Sequence, residues 1–277
     1  MSGGPIEVEG GTLTRVAYVD VSIPPEAAGL SGADLDRIPW RAPVWAQGDQ
    51  VRAGAAAWFA DLSGRRLVFD PVQAADDVLR ANPAVERAQQ SRLAEVFEAA
   101  GFPRHSVDLV VLSHIEGVGM VGWRDDAGTW SPFFPNARIL VSEVALRSSL
   151  ESPPAAGREL ELGAWSALIE QGVVGSYADA EVIVPGLRAE VTGGHCPGHA
   201  VLHFGEHAAS ARVSMVGHLA ISPLHLAVGE LPELHQDGAT AWKLLRAVAE
   251  DGRVLIGPLW PAPGCGRWID GVFEPGA

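Results

Sequence analysis

The stretch that decides the fold of this chain is residues 107–119, which read Val107-Asp108-Leu109-Val110-Val111-Leu112-Ser113-His114-Ile115-Glu116-Gly117-Val118-Gly119. The apolar residues before Ser113 are typical of a buried strand, and the glycines that follow His114 indicate a loop. His114 and Glu116 stand two positions apart at the strand end, and side chains at i and i+2 of an extended chain point to the same side. An imidazole and a carboxylate placed in this way can bind a metal ion or share a proton.

Composition and charge exclude several classes of protein. A chain of 277 residues that is 47% hydrophobic can bury a sizeable core. The formal net charge of -14, without a cluster of Lys and Arg, repels phosphate groups, so neither nucleic acid nor a membrane is an expected partner. Two cysteines, Cys196 and Cys265, imply no disulfide framework. We find neither a signal peptide at the start nor an apolar run of about 18 residues, and therefore expect a cytoplasmic protein.

The periodicity of apolar residues predicts strands with interspersed helices. A hairpin is expected around Ser63-Gly64, a helix over 84–100 with Gly101 as its stop, and a helix over 239–250. A strand and a loop are expected over 107–119, a turn into a strand over 134–142, and further strands at 181–191, 201–205, 211–216 and 253–257, the last running into a loop over 260–268. This order suits two sheets packed face to face with helices outside. We expect a single domain over 1–277, with an N-terminal arm over about 1–50.

The strand and loop at 107–119, with Val121-Gly122-Trp123 and Phe134-Pro135-Asn136-Ala137-Arg138, resemble the metallo-β-lactamase superfamily, most closely its lactonase-like hydrolases. The resemblance extends over about 55–273. It implies an α/β fold, the αββα sandwich of two mixed sheets, with metal ions at one edge between the sheets. It also implies hydrolysis of an ester, lactone, thioester, amide or phosphodiester.

The metal motif of that superfamily is degenerate in this chain. The family pattern His-x-His-x-Asp-His begins at His114, its histidine before x-Pro-Gly matches His195, and its Gly-Asp pair is replaced by Gly217-His218. Each position that serves the first of the family's two metals, together with the former bridging position, keeps a side chain able to bind metal: His114, Glu116, His195 and His218. The positions that serve only the second metal have lost theirs, namely Val118, Gly119 and Leu259.

The resemblance therefore implies one divalent metal ion (Zn, Fe or Mn) held by three imidazoles and one carboxylate. Glu116 and His218 are also the candidate catalytic residues, because either could detach and act as a base. Asp70 matches a family aspartate near the metal, and we expect it to accept a hydrogen bond from the ring N–H of a ligand histidine. His199 is expected to support the loop around the site.

Several residues near these motifs are candidates for a largely apolar substrate pocket that would take a small molecule. Trp123, Phe134 and Trp260 fall in loops close to the motif positions, and His225 follows Ser222-Pro223-Leu224. His203 and His207 are expected to face solvent, and Cys196 is expected to be a structural thiol or part of the wall of the site. Because dimers are common among the proteins that the chain resembles, a homodimer is one possible assembly.

Three functions fit this sequence. The first is a mononuclear metal-dependent enzyme that hydrolyses a small, largely apolar ester, lactone or thioester, and the resemblance favours it slightly. The second is a non-heme Fe or Mn oxygenase, lyase or isomerase with a three-His/one-Glu site similar to that of cupin enzymes. The third is a metal-free ligand-binding protein. Val118 argues against two-metal hydrolysis, because it cannot orient a hydroxide as the family's aspartate does.

We predict that Val118→Asp alone will not restore a two-metal centre, because Gly119 and Leu259 still offer no donor atom. Elemental analysis of the purified variant should show no more metal per chain than the wild type. A second equivalent of metal in the variant would contradict the assignment of the lost ligands.

Overall fold

Two β-sheets dominate the computed structural model, which describes residues 4–71, 83–115, 121–125, 127–151, 159–229 and 235–277. In the first sheet, β1, β2, β4 and β5 pair antiparallel, whereas β5, β6, β9 and β10 pair parallel, and the short β3 pairs with β4. Its strands are β1 (Ile6–Val8), β2 (Gly11–Ile23), β3 (Ala46–Gln47), β4 (Gln50–Leu62), β5 (Arg65–Phe69), β6 (Leu109–Val111), β9 (Arg138–Ser142) and β10 (Val174–Tyr177).

The second sheet follows the chain order from β11 to β17, and its neighbours are antiparallel except for the parallel pair β14 and β15. Its strands are β11 (Val182–Val184), β12 (Leu187–Val191), β13 (Ala200–Phe204), β14 (Val213–Met215), β15 (Val254–Ile256), β16 (Cys265–Ile269) and β17 (Val272–Pro275). A small ribbon pairs β7 (Gly122–Arg124) with β8 (Trp130–Pro132).

Helices cover the outer faces of both sheets. They are α1 (Gly32–Asp36), α2 (Pro83–Ala99), α3 (Glu143–Glu151), α4 (Glu159–Glu170), α5 (His225–Val228) and α6 (Gly238–Glu250). Leu93 and Phe97 of α2, four residues apart on one helical face, pack on the first sheet, and Leu245 of α6 packs on the second. In the described part of the chain, no helix combines the length and the apolar character that a membrane span needs.

The burial of both faces of each sheet explains the nearly continuous apolar runs of the sequence. Trp58 of β4 pairs with Phe69 of β5, and both point into the core between the sheets. Their neighbours Phe59 and Val68 point outward, into the core beneath α2. The order of layers is therefore helix, sheet, sheet, helix, which confirms the αββα metallo-β-lactamase-like sandwich predicted from the resemblance.

The hairpin around Ser63-Gly64 and the helix that ends before Gly101 are both present, as β4–β5 and α2. Residues 11–23, within the segment predicted as an N-terminal arm, form β2 and pair with β4 along most of its length. The predicted division into one domain and an arm stays a prediction.

The loop predicted over 260–268 is wrong, because its second half belongs to β16. Cys265 of β16 points into the core between the sheets, and Trp268 pairs with Phe273 of β17. Gly266 and Arg267 interrupt the apolar alternation, so the strand depends on its partners β15 and β17 rather than on its own pattern.

The segment after β15 is bonded to the first sheet although β15 belongs to the second. The backbone N–H groups of Gly54 and Ala56 donate to the carbonyls of Leu259 and Pro258, both at 2.9 Å. The indole N–H of Trp58 donates to the carbonyl of Gly257 at 3.3 Å. Main-chain bonds therefore join the two sheets at this edge.

A buried polar network lies on the second sheet, and it corrects the expectation that His203 faces solvent. His203 is buried on β13, with Nε2 at 2.8 Å from Glu190 Oε2 and Nδ1 at 2.8 Å from Ser214 Oγ. The hydrogen bond to His203 holds the pKa of Glu190 below its usual value. Arg253 completes the network, because Nη1 donates to Ser214 Oγ at 3.1 Å and to the carbonyl of Ala208 at 3.0 Å.

We expect Arg253→Met to lower the free energy of unfolding by about 2 kcal/mol, because it leaves buried acceptors of this network without a donor. Urea unfolding, followed by circular dichroism, would measure the change. The matched control is Arg37→Met, whose side chain is 74% exposed and pairs with Asp34 on the surface, and which should change stability by less than about 0.5 kcal/mol. Equal effects of the two substitutions would contradict a stabilising role for the network.

Candidate metal centre

Three histidines from different strand ends converge at one edge of the sandwich. His114 follows β6 of the first sheet, His195 lies in the loop before β13, and His218 lies in the 3-10 helix Gly217–Leu219 after β14. One ring nitrogen of each lies within 4.8 Å of those of the other two. The ring centroids are 4.6 Å apart for His114 and His218, 5.0 Å for His114 and His195, and 5.5 Å for His195 and His218.

Ser113 holds this cluster across the two sheets. Its carbonyl accepts a hydrogen bond from the backbone N–H of Ala200 in β13 at 2.8 Å, and its Oγ lies 2.9 Å from Nδ1 of His114. The backbone N–H of Ser113 donates to Asp70 Oδ1 at 2.7 Å. One residue thus connects the end of β6, the start of β13 and the ring of a candidate ligand.

Gly217 is required at a close contact between the segments that follow β6 and β14. Its φ is +52°, and a Cβ atom there would lie 2.5 Å from Ser113 Oγ and 2.6 Å from His199 Nε2. A side chain would therefore force apart the segments that carry His114 and His218. This contact explains why a glycine precedes His218.

His199 lies behind the candidate ligands and is neutral. It is fully buried, its Nε2 accepts the backbone N–H of His218 at 3.2 Å, and its Nδ1 lies 3.2 Å from Thr192 Oγ1. Because Nε2 accepts, the ring proton must be on Nδ1. Burial, followed by the nearby imidazoles, lowers the pKa of His199 well below its usual value. His199 thus supports the backbone of His218, and its supporting role in a metal site stays a prediction.

Asp70 is bonded to the backbone of Ser113, whereas the sequence predicts a bond to the ring of a ligand. Asp70 is buried at the end of β5 with a φ of +38°, a left-handed conformation that aspartate tolerates better than most residues. The hydroxyl of Tyr177 donates to the carbonyl of Leu112 at 2.6 Å. Asp70 and Tyr177 together hold the chain that leads into His114.

Three of the four predicted pocket residues are fully or almost fully buried, so we correct that prediction for them. Trp260 donates its indole N–H to the carbonyl of Ala220 at 2.8 Å and packs edge-on against Trp45 and Phe273. A side chain without accessible surface cannot line a pocket. Trp260 lies in a loop, as predicted, but its ring belongs to the hydrophobic core outside the second sheet.

Phe134 and His225 are also buried, the first by ring packing and the second at a backbone carbonyl. Phe134 stacks on Phe97 of α2, with ring centroids 6.1 Å apart and an angle of 18° between the planes. His225 lies 2.9 Å through Nε2 from the carbonyl of Ala28, and burial lowers its pKa to about 4. Trp123 is half-buried under the guanidinium of Arg104, 4.7 Å from its ring centroid, and its pocket role stays a prediction.

The predicted fourth ligand, Glu116, lies outside the described residues, as do Val118 and Gly119. Its role as a ligand and as a catalytic base therefore stays a prediction from its spacing to His114. Leu259, where the family's last ligand falls, is described; its carbonyl is bonded to Gly54 as given above.

The sequence analysis missed His235, which contacts a candidate ligand directly. Its Nδ1 lies 3.1 Å from Nδ1 of His195, and the ring centroids are 5.2 Å apart with an angle of 81° between the planes. His235 stands in no recognisable motif, and its only sequence signal is its place two residues before Asp237, the N-cap of α6. Tertiary packing brings it to the site.

The donor set fits a divalent metal ion. Neutral imidazoles suit zinc, iron and manganese, and the three ring nitrogens lie within 4.8 Å of one another, close enough to belong to one site. Nδ1 of His114 faces Ser113, and Nδ1 of His195 faces His235. Nε2 is therefore the atom that each ring would present to a metal.

No family model and no curated protein matches the sequence. Solved structures do match. A hydrolase of the β-lactamase superfamily, AbOPH, is 17% identical with a TM-score of 0.69, and 100% of this chain and 98% of that chain are covered. AidC, a dizinc quorum-quenching lactonase in complex with the product N-hexanoyl-L-homoserine, is 16% identical with a TM-score of 0.73 over the same shares.

A probable metal-dependent hydrolase from Staphylococcus aureus is 12% identical with a TM-score of 0.66, and 92% of this chain and 91% of that chain are covered. Agreement over nearly whole chains at such low identity establishes a common architecture. The chain therefore has the metallo-β-lactamase fold, with its histidine cluster at the edge between the two sheets.

Proposed function

We propose that this protein is a mononuclear metal-dependent hydrolase that cleaves a small, largely apolar ester, lactone or thioester. The convergence of His114, His195 and His218 from both sheets is the observation that supports this proposal most strongly. Similarity of the fold to metal-dependent hydrolases supports the same reaction class, although a fold by itself does not determine function.

A single metal ion is proposed because donors for a second are missing. Val118, Gly119 and Leu259 carry no ligand atom in their side chains. Glu116, two positions after His114 in the sequence, is our proposed fourth ligand. When bound, a divalent ion would lower the pKa of a water molecule and polarise the carbonyl group of the substrate.

The protein's own residues would position the ligands and accept the proton. Ser113 and His235 contact the Nδ1 atoms of His114 and His195, which directs their Nε2 atoms toward the shared site. His199 holds the backbone of His218. Hydrolysis also needs a base, and Glu116 and His218 are the candidates, since each is one of the four proposed ligands and could release the metal to take a proton.

A lactone is the first substrate to test. AidC, whose fold this chain shares, is a lactonase with N-hexanoyl-L-homoserine as its product. Such a substrate combines an apolar acyl chain with a small polar ring, which agrees with the small, largely apolar molecule that we propose.

We expect His114→Ala and His195→Ala each to abolish stoichiometric metal binding, because each removes a nitrogen donor from the cluster. Cys196→Ser is the matched control beside His195 and should retain the wild-type metal content. Elemental analysis of protein purified without chelators measures the outcome, with circular dichroism to verify folding. A folded His195→Ala variant with full metal content would refute the ligand assignment.

We expect the zinc-loaded protein to hydrolyse members of a panel of lactones, thioesters and aryl esters at the same rate with and without oxygen. Removal of the metal by a chelator should reduce kcat/KM by at least about 100-fold, and added zinc should restore it. Iron in the purified protein together with substrate-dependent oxygen consumption would instead indicate the oxygenase alternative.

A further inference from the structure

We propose that His235 is a positioning residue, which fixes the proton and the orientation of the His195 ring so that Nε2 of His195 faces the metal. This inference rests on the proposed metal site. It concerns a residue outside the family motif, on the segment that leads into α6.

The distance between the two rings defines a hydrogen bond whose direction depends on which ring carries the shared proton. Nδ1 of His195 and Nδ1 of His235 are 3.1 Å apart. Two imidazole nitrogens at this distance need one proton between them, because two lone pairs would repel each other. If His195 uses Nε2 as its metal ligand, its own proton must be on Nδ1, so His195 donates and His235 accepts.

The backbone holds the two rings in this relation. The N–H of Gln236 donates to the carbonyl of His195 at 3.0 Å, and the N–H of Asp237 donates to the carbonyl of Gly194 at 2.9 Å. Asp237 also caps α6, because its Oδ1 accepts the N–H of Thr240 at 3.0 Å. The loop that carries His195 is thus docked on the first turn of α6.

The loop also approaches α6 closely at Gly194, which has no side chain. Gly194 has a φ of +76°, and a Cβ atom there would lie 2.8 Å from the backbone nitrogen of Ala241 in α6. The pairing of His235 with His195 therefore follows from main-chain packing, and His235 itself is 8% exposed.

His235 is placed as a partner of a ligand and not as a fourth ligand. Among the described residues, the group whose donor atoms all lie within 4.8 Å of one another consists of His114, His195 and His218. His235 contacts this group through His195. A residue in that position typically changes metal affinity about 10- to 100-fold, because it orients the ligand ring and raises its basicity.

The experiment measures zinc affinity by competition with a chromophoric chelator and the visible spectrum of the cobalt-loaded protein. His235→Ala should weaken zinc binding about 10- to 100-fold and shift the cobalt bands. His235→Asn should recover most of the affinity, because its Oδ1 can accept a hydrogen bond at about the place of Nδ1. His207→Ala, a substitution of an exposed histidine, is the matched control and should bind like the wild type.

Each other outcome overturns part of this scheme. Wild-type affinity and an unchanged spectrum in His235→Ala would refute the positioning role. Loss of metal in His235→Asn as complete as in His195→Ala would identify His235 as a direct ligand instead, since an amide is a poor substitute for an imidazole donor. A wild-type protein that binds neither zinc nor cobalt would refute the proposed function itself, and so would be distinguished from the first two outcomes.

Discussion

The site depends on the contact that Ser113 makes between the two sheets. The carbonyl of Ser113 bonds to Ala200 of the second sheet, its N–H bonds to Asp70 of the first, and its hydroxyl lies against His114. A single hydrogen bond contributes only about 1 kcal/mol to stability, so the importance of this contact is geometric. A Cβ atom at Gly217 would lie 2.5 Å from Ser113 Oγ, so the glycine lets the segment that carries His218 approach the segment that carries His114.

Much of the fold could be predicted from the sequence, because its strongest signals are local. The hairpin at Ser63-Gly64 and the helix before Gly101 follow from turn chemistry and periodicity. β16 could not be predicted, since Gly266 and Arg267 break its apolar pattern and the strand depends on pairing with β15 and β17. His203 looked like a solvent-facing residue because its hydrogen-bonding partner Glu190 becomes its neighbour only when β12 and β13 pair.

Some residues of the candidate site could likewise be predicted from local sequence motifs, and others could not. His114, His195 and His218 stand in motif positions, and the structure brings these three together. The aromatic residues near the motifs were harder to interpret, because a sandwich with helices on both outer faces has three apolar layers to fill. Phe134 and Trp260 fill the outer two. His235 reaches the site through the docking of α6, which no local pattern reveals.

The hydrogen bonds between strand β4 and the segment after β15 affect the entropy change of metal binding at the proposed site. Gly54 and Ala56 bond to Leu259 and Pro258, and Ala200 bonds to Ser113, so main-chain hydrogen bonds join the two sheets at two places. The sheets cannot separate there without losing these bonds. The entropy of ordering the imidazoles is therefore lost when the chain folds, and the ion that we propose would meet donors that are already assembled.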